Sequence, residues 1–515
     1  MEFLEKLLLY YSLTENEYLD FTKEGDENLL PFFDDDLSFK ASCEIINRLI
    51  AQKEKILIYG DYDCDGIMAT SIIYKTIADN EFTPGFYIPF REKDGYGINK
   101  ERVDFFYSLG YRSFILVDNG ITANEVIDYM NSLGITTIII DHHERKEELP
   151  KTPYIIHPTL LENSKNNISA GALAFYFSKV FLKRTDKYLL SLGALSLLSD
   201  MMSLIGDNRN LVKLGFKYLK EENYKQFELL NGKKISSYDE LSMNVIPKIN
   251  AVGRIIKDSS LFSVVKYFCL DDDSKFYERA KWLNMVNIER KLMSKEAIEN
   301  IEYNDFLENS TVLLCDCEEG ISGIIANQLL YKNNNPTVVF SSKIGENGTI
   351  KGSLRSRDGF NVIKALAELS DIIEVSGGHA LAGGLQIKSN NFEIFKKRFD
   401  ELAKKYKFVE TINDAIEISV GDINKFNFDI YNKFQPFGMN VKKPVFKIKG
   451  ISTKNLRFTK DKKHIIVKTS LDASIIFFNY PKDLLDHNNI DLLGYFDLNE
   501  FKNKKTYQFI AFTFE

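Results

Sequence analysis

The chain has 515 residues, 44% of them apolar and 27% charged, with a net charge of −7. That length exceeds one ordinary core and, at about 100–200 residues per domain, points to several. The composition is that of a globular protein; it holds no internal repeat or low-complexity tail, and no apolar run approaches the ~18–20 residues that span a bilayer.

The first residues, "MEFLEKLLLYY", read as an acidic amphipathic helix and not as a signal peptide with a basic start and a small-residue cleavage site. Residues 1–50 form an N-terminal helical extension without a chemical motif. Residues 51–230 alternate strand-like and helix-like runs: "KILIYG" then "IMATSIIYKTIAD", "SFILVD" then "NEVIDYMNSLG", "TTIIID", "YIIHP", and then helices such as "SAGALAFYFSKVFLKR". Short Ile/Val-rich runs separated by helices indicate parallel βαβ units. Residues 231–305 are a linker region with a long, charge-laced helix from Ser274 to Tyr303. Residues 306–408 form a smaller α/β section with "STVLLCD", "PTVVFSS" and "SGGHALAGGLQIK". From 409 to 515, short aromatic and β-branched runs split by turns read as an all-β, OB-like barrel. The five cysteines are scattered apart from Cys315 and Cys317, and without a Cys-x-x-Cys pair they read as reduced cytoplasmic thiols rather than zinc ligands.

Three of the strand-like runs end in acid, at Asp61, Asp118 and Asp141, and ligands of open α/β sheets sit beyond the carboxyl ends of the strands. "GDYDCDG" adds Asp63 and Asp65, expected to point the same way from an extended loop. "IIIDHHE" places His142 and His143 at a strand end, and Asp200 closes the helical "LGALSLLSD". A lone Asp-x-Asp is usually a solvated turn and a lone His-His pair usually surface; their joint occurrence at successive strand ends argues for a metal site. Hard oxygens with imidazole and no thiolate favour Mn²⁺ or Mg²⁺.

"GDYDCDG", "VDNG", "DHH" and "LLSD" resemble the successive motifs of the DHH phosphoesterase superfamily, and "SGGHALAGG" resembles the glycine-rich signature of its associated DHHA1 domain. With "INAVGR" and a terminal barrel reached through "FQPFG", the chain is similar to RecJ-type single-strand-specific 5′→3′ exonucleases. The resemblance implies a parallel-sheet DHH domain, a linking helix, a DHHA1 domain and an OB-like barrel. It also implies a pair of divalent cations held by Asp63, Asp65, Asp118, His142 and Asp200, with Asp61 close by. Tyr59 stands where many superfamily members carry a histidine. Asp141, His142 and His143 are the expected catalytic set, with Asp141 orienting His142 and His143 facing the substrate phosphate. Arg254, Arg355, Gly377, Gly378 and His379 are the expected phosphate contacts, since glycine lets backbone amides approach phosphate and arginine pairs with it bidentately.

Net acidity is not the overall signature of a nucleic-acid binder. Yet Lys433–Lys468 holds eleven Lys/Arg against one acid, Asp461. OB-type folds bind single strands by stacking bases on aromatics while cations follow the backbone; the competing reading makes Phe446, Phe458, Phe477 and Phe478 core. The resemblance implies a monomeric cytoplasmic exonuclease of DNA repair and recombination, acting on single-stranded DNA beside a helicase and a single-strand-binding protein, with no membrane contact. Two alternatives are a phosphodiesterase for nanoRNA, cyclic dinucleotides or 3′-phosphoadenosine phosphate, and a non-catalytic nucleic-acid scaffold.

Overall fold

The computed structural model describes residues 2–161, 168–269, 273–301, 306–357, 359–405, 415–501 and 504–515. The expected helix end at Tyr303 and the boundary between 408 and 409 lie outside the described residues. Contacts divide the chain into two compact units: Met1–Asp26, Ser203–Asn210 and Glu410–Glu515, and Glu27–Met202 with Leu211–Val409.

In the larger unit, β1 (Ile56–Tyr59), β2 (Gly85–Tyr87), β3 (Ser113–Val117), β4 (Thr136–Ile140) and β5 (Ile155–Ile156) form a parallel sheet in the order 2-1-3-4-5. Every residue of β1 and β3 is buried, which is why these strands read as unbroken apolar runs rather than alternating ones. The direction of winding reverses between β1 and β3, and such a switch point opens a crevice at the strands' carboxyl ends. The helix Cys64–Ala78 packs against the helices Ala170–Leu182 and Lys187–Ser199 and is buried on almost every side, as an all-round apolar helix must be. The linking helix runs from Phe276 to Glu299, with only Phe276, Ala280, Leu283, Val286, Asn287, Ser294 and Ala297 buried.

A second sheet in this unit comprises β6 (Thr311–Cys315), β7 (Thr337–Ser341), β8 (Thr349–Arg355), β9 (Val375–Gly378) and β10 (Ala382–Lys388) in the order 6-7-8-10-9. Only β6 and β7 pair in parallel. The helices Val362–Ala367 and Phe392–Ala403 share one apolar core with it, and Glu319–Asn333 shares another.

The smaller unit carries β11 (Ile416–Ile418), β12 (Phe446–Ser452), β13 (His464–Lys468), β14 (Ala473–Phe478), β15 (Asn489–Phe501) and β16 (Lys504–Phe514) in one sheet, ordered 11-12-15-16-14-13. It is not purely β: the helix Lys425–Lys433 contributes Phe428 and Tyr431 to its core. So does the N-terminal helix Phe3–Tyr11, through Phe3 and Leu7. Phe3 stacks against Phe446 and Phe496 at ring-centroid distances of 5.8 and 5.6 Å. Residues 1–50 are therefore not one extension. The apolar face of the first helix meets the C-terminal sheet, and the chain joins the larger unit from Glu27. The four phenylalanines also divide: Phe446 and Phe477 are core, while Phe458 and Phe478 are 41% and 52% exposed. Among the described residues no helix is long and apolar enough to cross a membrane.

Candidate metal centre

The acid-rich segment after β1 does not stay extended. Asp63 is the N-cap of the helix Cys64–Ala78, its Oδ1 accepting from Gly66 N at 3.1 Å, so Asp65 lies in the first helical turn. Gly66 permits this, since a Cβ there would come within 2.6 Å of Asp61 Cβ. The turn is held from outside by Asn250 Oδ1, which accepts from Cys64 N at 2.7 Å; this gives "INAVGR" a structural task. After β3, Asp118 takes a left-handed conformation (φ 61°) that aspartate tolerates better than most residues. Asn119 next to it donates to the carbonyls of Tyr59, Gly60 and Val117 at 2.9–3.3 Å, tying the ends of β1 and β3 together.

Among the described residues three groups of potential ligands result, each with donor atoms within 4.8 Å of one another: Asp61, Asp63 and Asp118; Asp65, His142 and Asp200; and Asp118, His142 and His143. Asp63 and Asp65 thus serve different groups, which Asp118 and His142 join. His142 Nε2 lies 3.3 Å from Asp118 Oδ1 and 3.5 Å from both Asp65 Oδ2 and Asp200 Oδ2. Burial, then the repulsion of neighbouring carboxylates, raises Asp61 and Asp200 to about 8 and Asp65 to about 7, and lifts Asp118 well above the usual range. Burial and the neighbouring His143 lower His142 to about 3, so the imidazole is neutral.

These residues fit divalent cations. A neutral imidazole nitrogen faces three carboxylates whose mutual repulsion the neighbouring His143 offsets only in part. Asp61 Oδ1 and Asp118 Oδ1 are buried without a hydrogen-bond partner among the described residues. Of the three carboxylates that face His142, Asp65 is the best supported, accepting from Ala170 N at 2.9 Å, Gly171 N at 2.8 Å and the Ser196 hydroxyl. Tyr59 takes no part: its hydroxyl donates to Gly97 O at 3.2 Å inside the core.

Asp141 differs from the expected arrangement. Its carboxylate accepts from the backbone N–H groups of Ile121 (2.9 Å), His142 (2.7 Å) and His143 (3.2 Å), and bonds His143 Nδ1 at 2.8 Å. It orients His143, whereas His142 Nδ1 has no partner among the described residues. Burial acts against both charges, but this bond and the mutual attraction hold Asp141 at about 2 and His143 at about 9. A tyrosine that the motifs do not reveal completes the setting: the Tyr96 hydroxyl lies 3.0 and 3.1 Å from the two His143 ring nitrogens and 3.1 Å from Asp118 O. The one available signal was its place between two glycines in "DGYG", both of positive φ.

Arg254 is among other arginines. Burial, then Arg91, Arg355 and Arg290, lowers it to about 10, while Asp63 works the other way. Burial and Arg91 likewise lower Arg355. Arg91 lies 4.3 Å over the Tyr62 ring, and the Nε atoms of Arg91 and Arg290 are buried without a hydrogen-bond partner among the described residues. Arg91 and Arg290 lie in no recognisable motif, and only folding brings them here. Gly377 and Gly378 end β9, and His379 follows in the exposed turn to β10. Gly378 (φ 142°) is required by the hairpin, since a Cβ would lie 2.5 Å from Gly383 Cα.

The acid-and-histidine centre at the switch point of the parallel sheet and the mixed α/β domain that follows it each fall within a known domain family. The N-terminal domain of the DHH family matches residues 55–198 and the DHHA1 domain residues 309–405. The RecJ OB domain matches residues 415–511, so the three domain matches follow one another along the chain in the order that the resemblance implies. The chain is 30% identical over 489 residues to the single-stranded-DNA-specific exonuclease RecJ of Bacillus subtilis, covering 90% of this chain and 62% of that one. It is 28% identical over 405 residues to the Escherichia coli enzyme of the same name, covering 71% and 69%. The crystal structure of Thermus thermophilus RecJ in complex with Mn²⁺ superposes with a TM-score of 0.82 at 20% identity, over 100% of this chain and 76% of that one. The chain thus spans less than two thirds of the length of its Bacillus subtilis relative.

Proposed function

We propose that this chain is a single-stranded-DNA-specific 5′→3′ exonuclease that uses two divalent cations, Mn²⁺ or Mg²⁺, in DNA repair and recombination. The observation that carries this reading is the pair of abutting ligand groups, Asp61/Asp63/Asp118 and Asp65/His142/Asp200, with Asp118 facing both. Two cations held there supply Lewis-acid polarisation of the phosphate and an activated water. Asp118, which adjoins both groups, would serve either cation, and Asp65 is fixed by two backbone N–H groups and a hydroxyl so that its orientation costs little on binding. His143, locked by Asp141 and Tyr96, stabilises charge developing on a phosphoryl oxygen. Arg91, Arg254 and Arg355, with Arg290 on the linking helix, hold the substrate backbone, and His379 flanks it. Mutual repulsion among these guanidinium groups is relieved when a phosphate enters.

The smaller unit supplies single-strand affinity. Lys447 and Lys449 are spent on Asp491, Glu515 and Glu417, but Lys454, Arg457, Lys460, Lys462, Lys463 and Lys468 are exposed. They accompany the exposed Phe458 and Phe478, rings on which bases stack. Action in the cytoplasm as a monomer, beside a helicase and a single-strand-binding protein, belongs to the same proposal. Long single strands, blunt duplexes and dinucleotides assayed side by side with Mn²⁺ test it. Preferential degradation of the single strand from its 5′ end is expected; preference for dinucleotides or equal attack on duplex overturns it.

A further inference from the structure

Cys315 closes β6 and Cys317 follows after one residue, the turn between them held by Cys317 N donating to Cys315 O at 2.9 Å. Both side chains are buried, yet both line a cavity of about 530 Å³ together with Met293, Glu296, Asp316 and Lys343. That volume suits a small molecule, and the metal centre makes no use of it. The neighbouring Cys317 lowers the Cys315 thiol against burial and Asp316, while Cys315 and then burial drive Cys317 up. Glu318, the next acid, is neutralised by Lys257 at 2.6 Å and by Lys343. Two thiols two residues apart across a tight turn, lining one cavity, with one lowered and the other raised, make an attacking and resolving pair for thiol–disulfide exchange. Among the other cysteines, burial pushes Cys43 up to about 12 and Cys64 well above its ordinary value.

We propose that Cys315 and Cys317 form a redox-active dithiol that reacts through this cavity with low-molecular-weight disulfides. The Cys315 thiolate attacks the disulfide RSSR; one S–S bond breaks, a mixed disulfide forms, and the first RS⁻ leaves with a proton as RSH. Cys317, giving up its proton, attacks the Cys315 sulfur and expels the second RS⁻, which leaves as RSH. Two protein thiols are oxidised to one disulfide, and RSSR is reduced to two RSH.

The pair is also coupled to the substrate cleft. Three residues after Cys317, Gly320 O accepts from Arg254 Nη1 at 3.1 Å, and any Cβ on Gly320 would collide with the Arg254 backbone. Closing the sulfurs to the ~2.05 Å of a disulfide pulls on the turn that seats Arg254, so oxidation slows hydrolysis. This consequence rests on Arg254 holding substrate phosphate; the thiol chemistry does not.

The test treats reduced full-length chain with oxidised glutathione, alkylates the remaining thiols and maps them by mass spectrometry, alongside single-strand hydrolysis with Mn²⁺. The expected result is a Cys315–Cys317 disulfide formed in the native protein before the other cysteines react. Activity should fall about tenfold, the scale of one lost charged hydrogen bond, and recover with dithiothreitol. A Cys315→Ser/Cys317→Ser variant should keep basal activity and be insensitive. Thiols that stay alkylatable in the treated wild type, or a Cys315–Cys317 disulfide that forms only after the other cysteines have reacted, overturn the proposal; a disulfide without loss of activity, or equal inhibition of the double variant, refutes its coupling to Arg254. Arg254→Gln, assayed without oxidant, reports separately on the Arg254 assignment.

Discussion

Neutralising Asp118 should raise stability and abolish function at once, with opposite responses to metal. The side chain is 2% exposed, and donor atoms of its groups lie within 4.8 Å, a spacing at which two carboxylates repel by about 3.5 kcal/mol in an effective dielectric of ~20. Without metal the protein relieves this repulsion by retaining protons. Asp61 and Asp200 at about 8 and Asp65 at about 7 stabilise the fold below their unfolded value near 3.8, and that stability is lost as pH climbs through the folded values. His142, at about 3, runs the other way between pH 3 and its unfolded value of 6.5 and offsets one of these three. The metal-free wild type is therefore more stable at pH 5 than at pH 8. Asp118→Asn removes one set of repulsions, so the metal-free variant should exceed wild type by about 1–3 kcal/mol at pH 8, the difference shrinking toward pH 5. Mn²⁺ reverses the order: at a hundredfold excess over Kd the wild type gains about 2.7 kcal/mol, and the variant gains little. Thermal unfolding in EDTA and in Mn²⁺ at the two pH values reads all four states. A metal-free variant less stable than wild type at pH 8, or equal stabilisation of both proteins by Mn²⁺, refutes the reasoning.

His142→Ala should abolish hydrolysis with a modest loss of single-strand binding, whereas Asp141→Ala should also destabilise by about 2–4 kcal/mol, because three buried N–H donors lose their acceptor; wild-type turnover in either variant contradicts the site. Tyr96→Phe should lower kcat about tenfold with KM unchanged, and a rise in KM alone would show that Tyr96 serves binding only. Phe3→Ala should cost the C-terminal unit about 3–5 kcal/mol, read as an earlier thermal transition; an unshifted transition would mean that the first helix does not complete that core. Replacing Lys460, Lys462 and Lys463 together by Ala should reduce the salt dependence of single-strand binding by about two to three phosphate contacts, and an unchanged slope would place the DNA elsewhere.

What the chain spells out locally was readable, and what arises from packing was not. The parallel sheet was legible because β1, β3 and β4 each carry at least three apolar residues in a row and each is followed within two residues by an acid. β2 was missed: three residues at a sheet edge carry no periodicity. The acid and histidine cluster was legible because each member ends an element, but its division into two groups was not, since that depends on the helix beginning at Cys64 rather than on a loop. Asp141 sits beside both histidines in sequence, so only the fold shows which ring it holds. Arg91, Arg290 and Tyr96 lie in segments whose neighbours have no catalytic pattern. The first helix looked like an appendage because its partner surface lies more than 400 residues away, at Phe446 and Phe496.

Anomalous diffraction at the manganese edge from crystals grown with Mn²⁺ addresses the central claim most directly. Two peaks about 3.5–4 Å apart are expected, one among Asp61, Asp63 and Asp118 and the other among Asp65, His142 and Asp200. A single ion, or manganese bound away from Asp118, contradicts it.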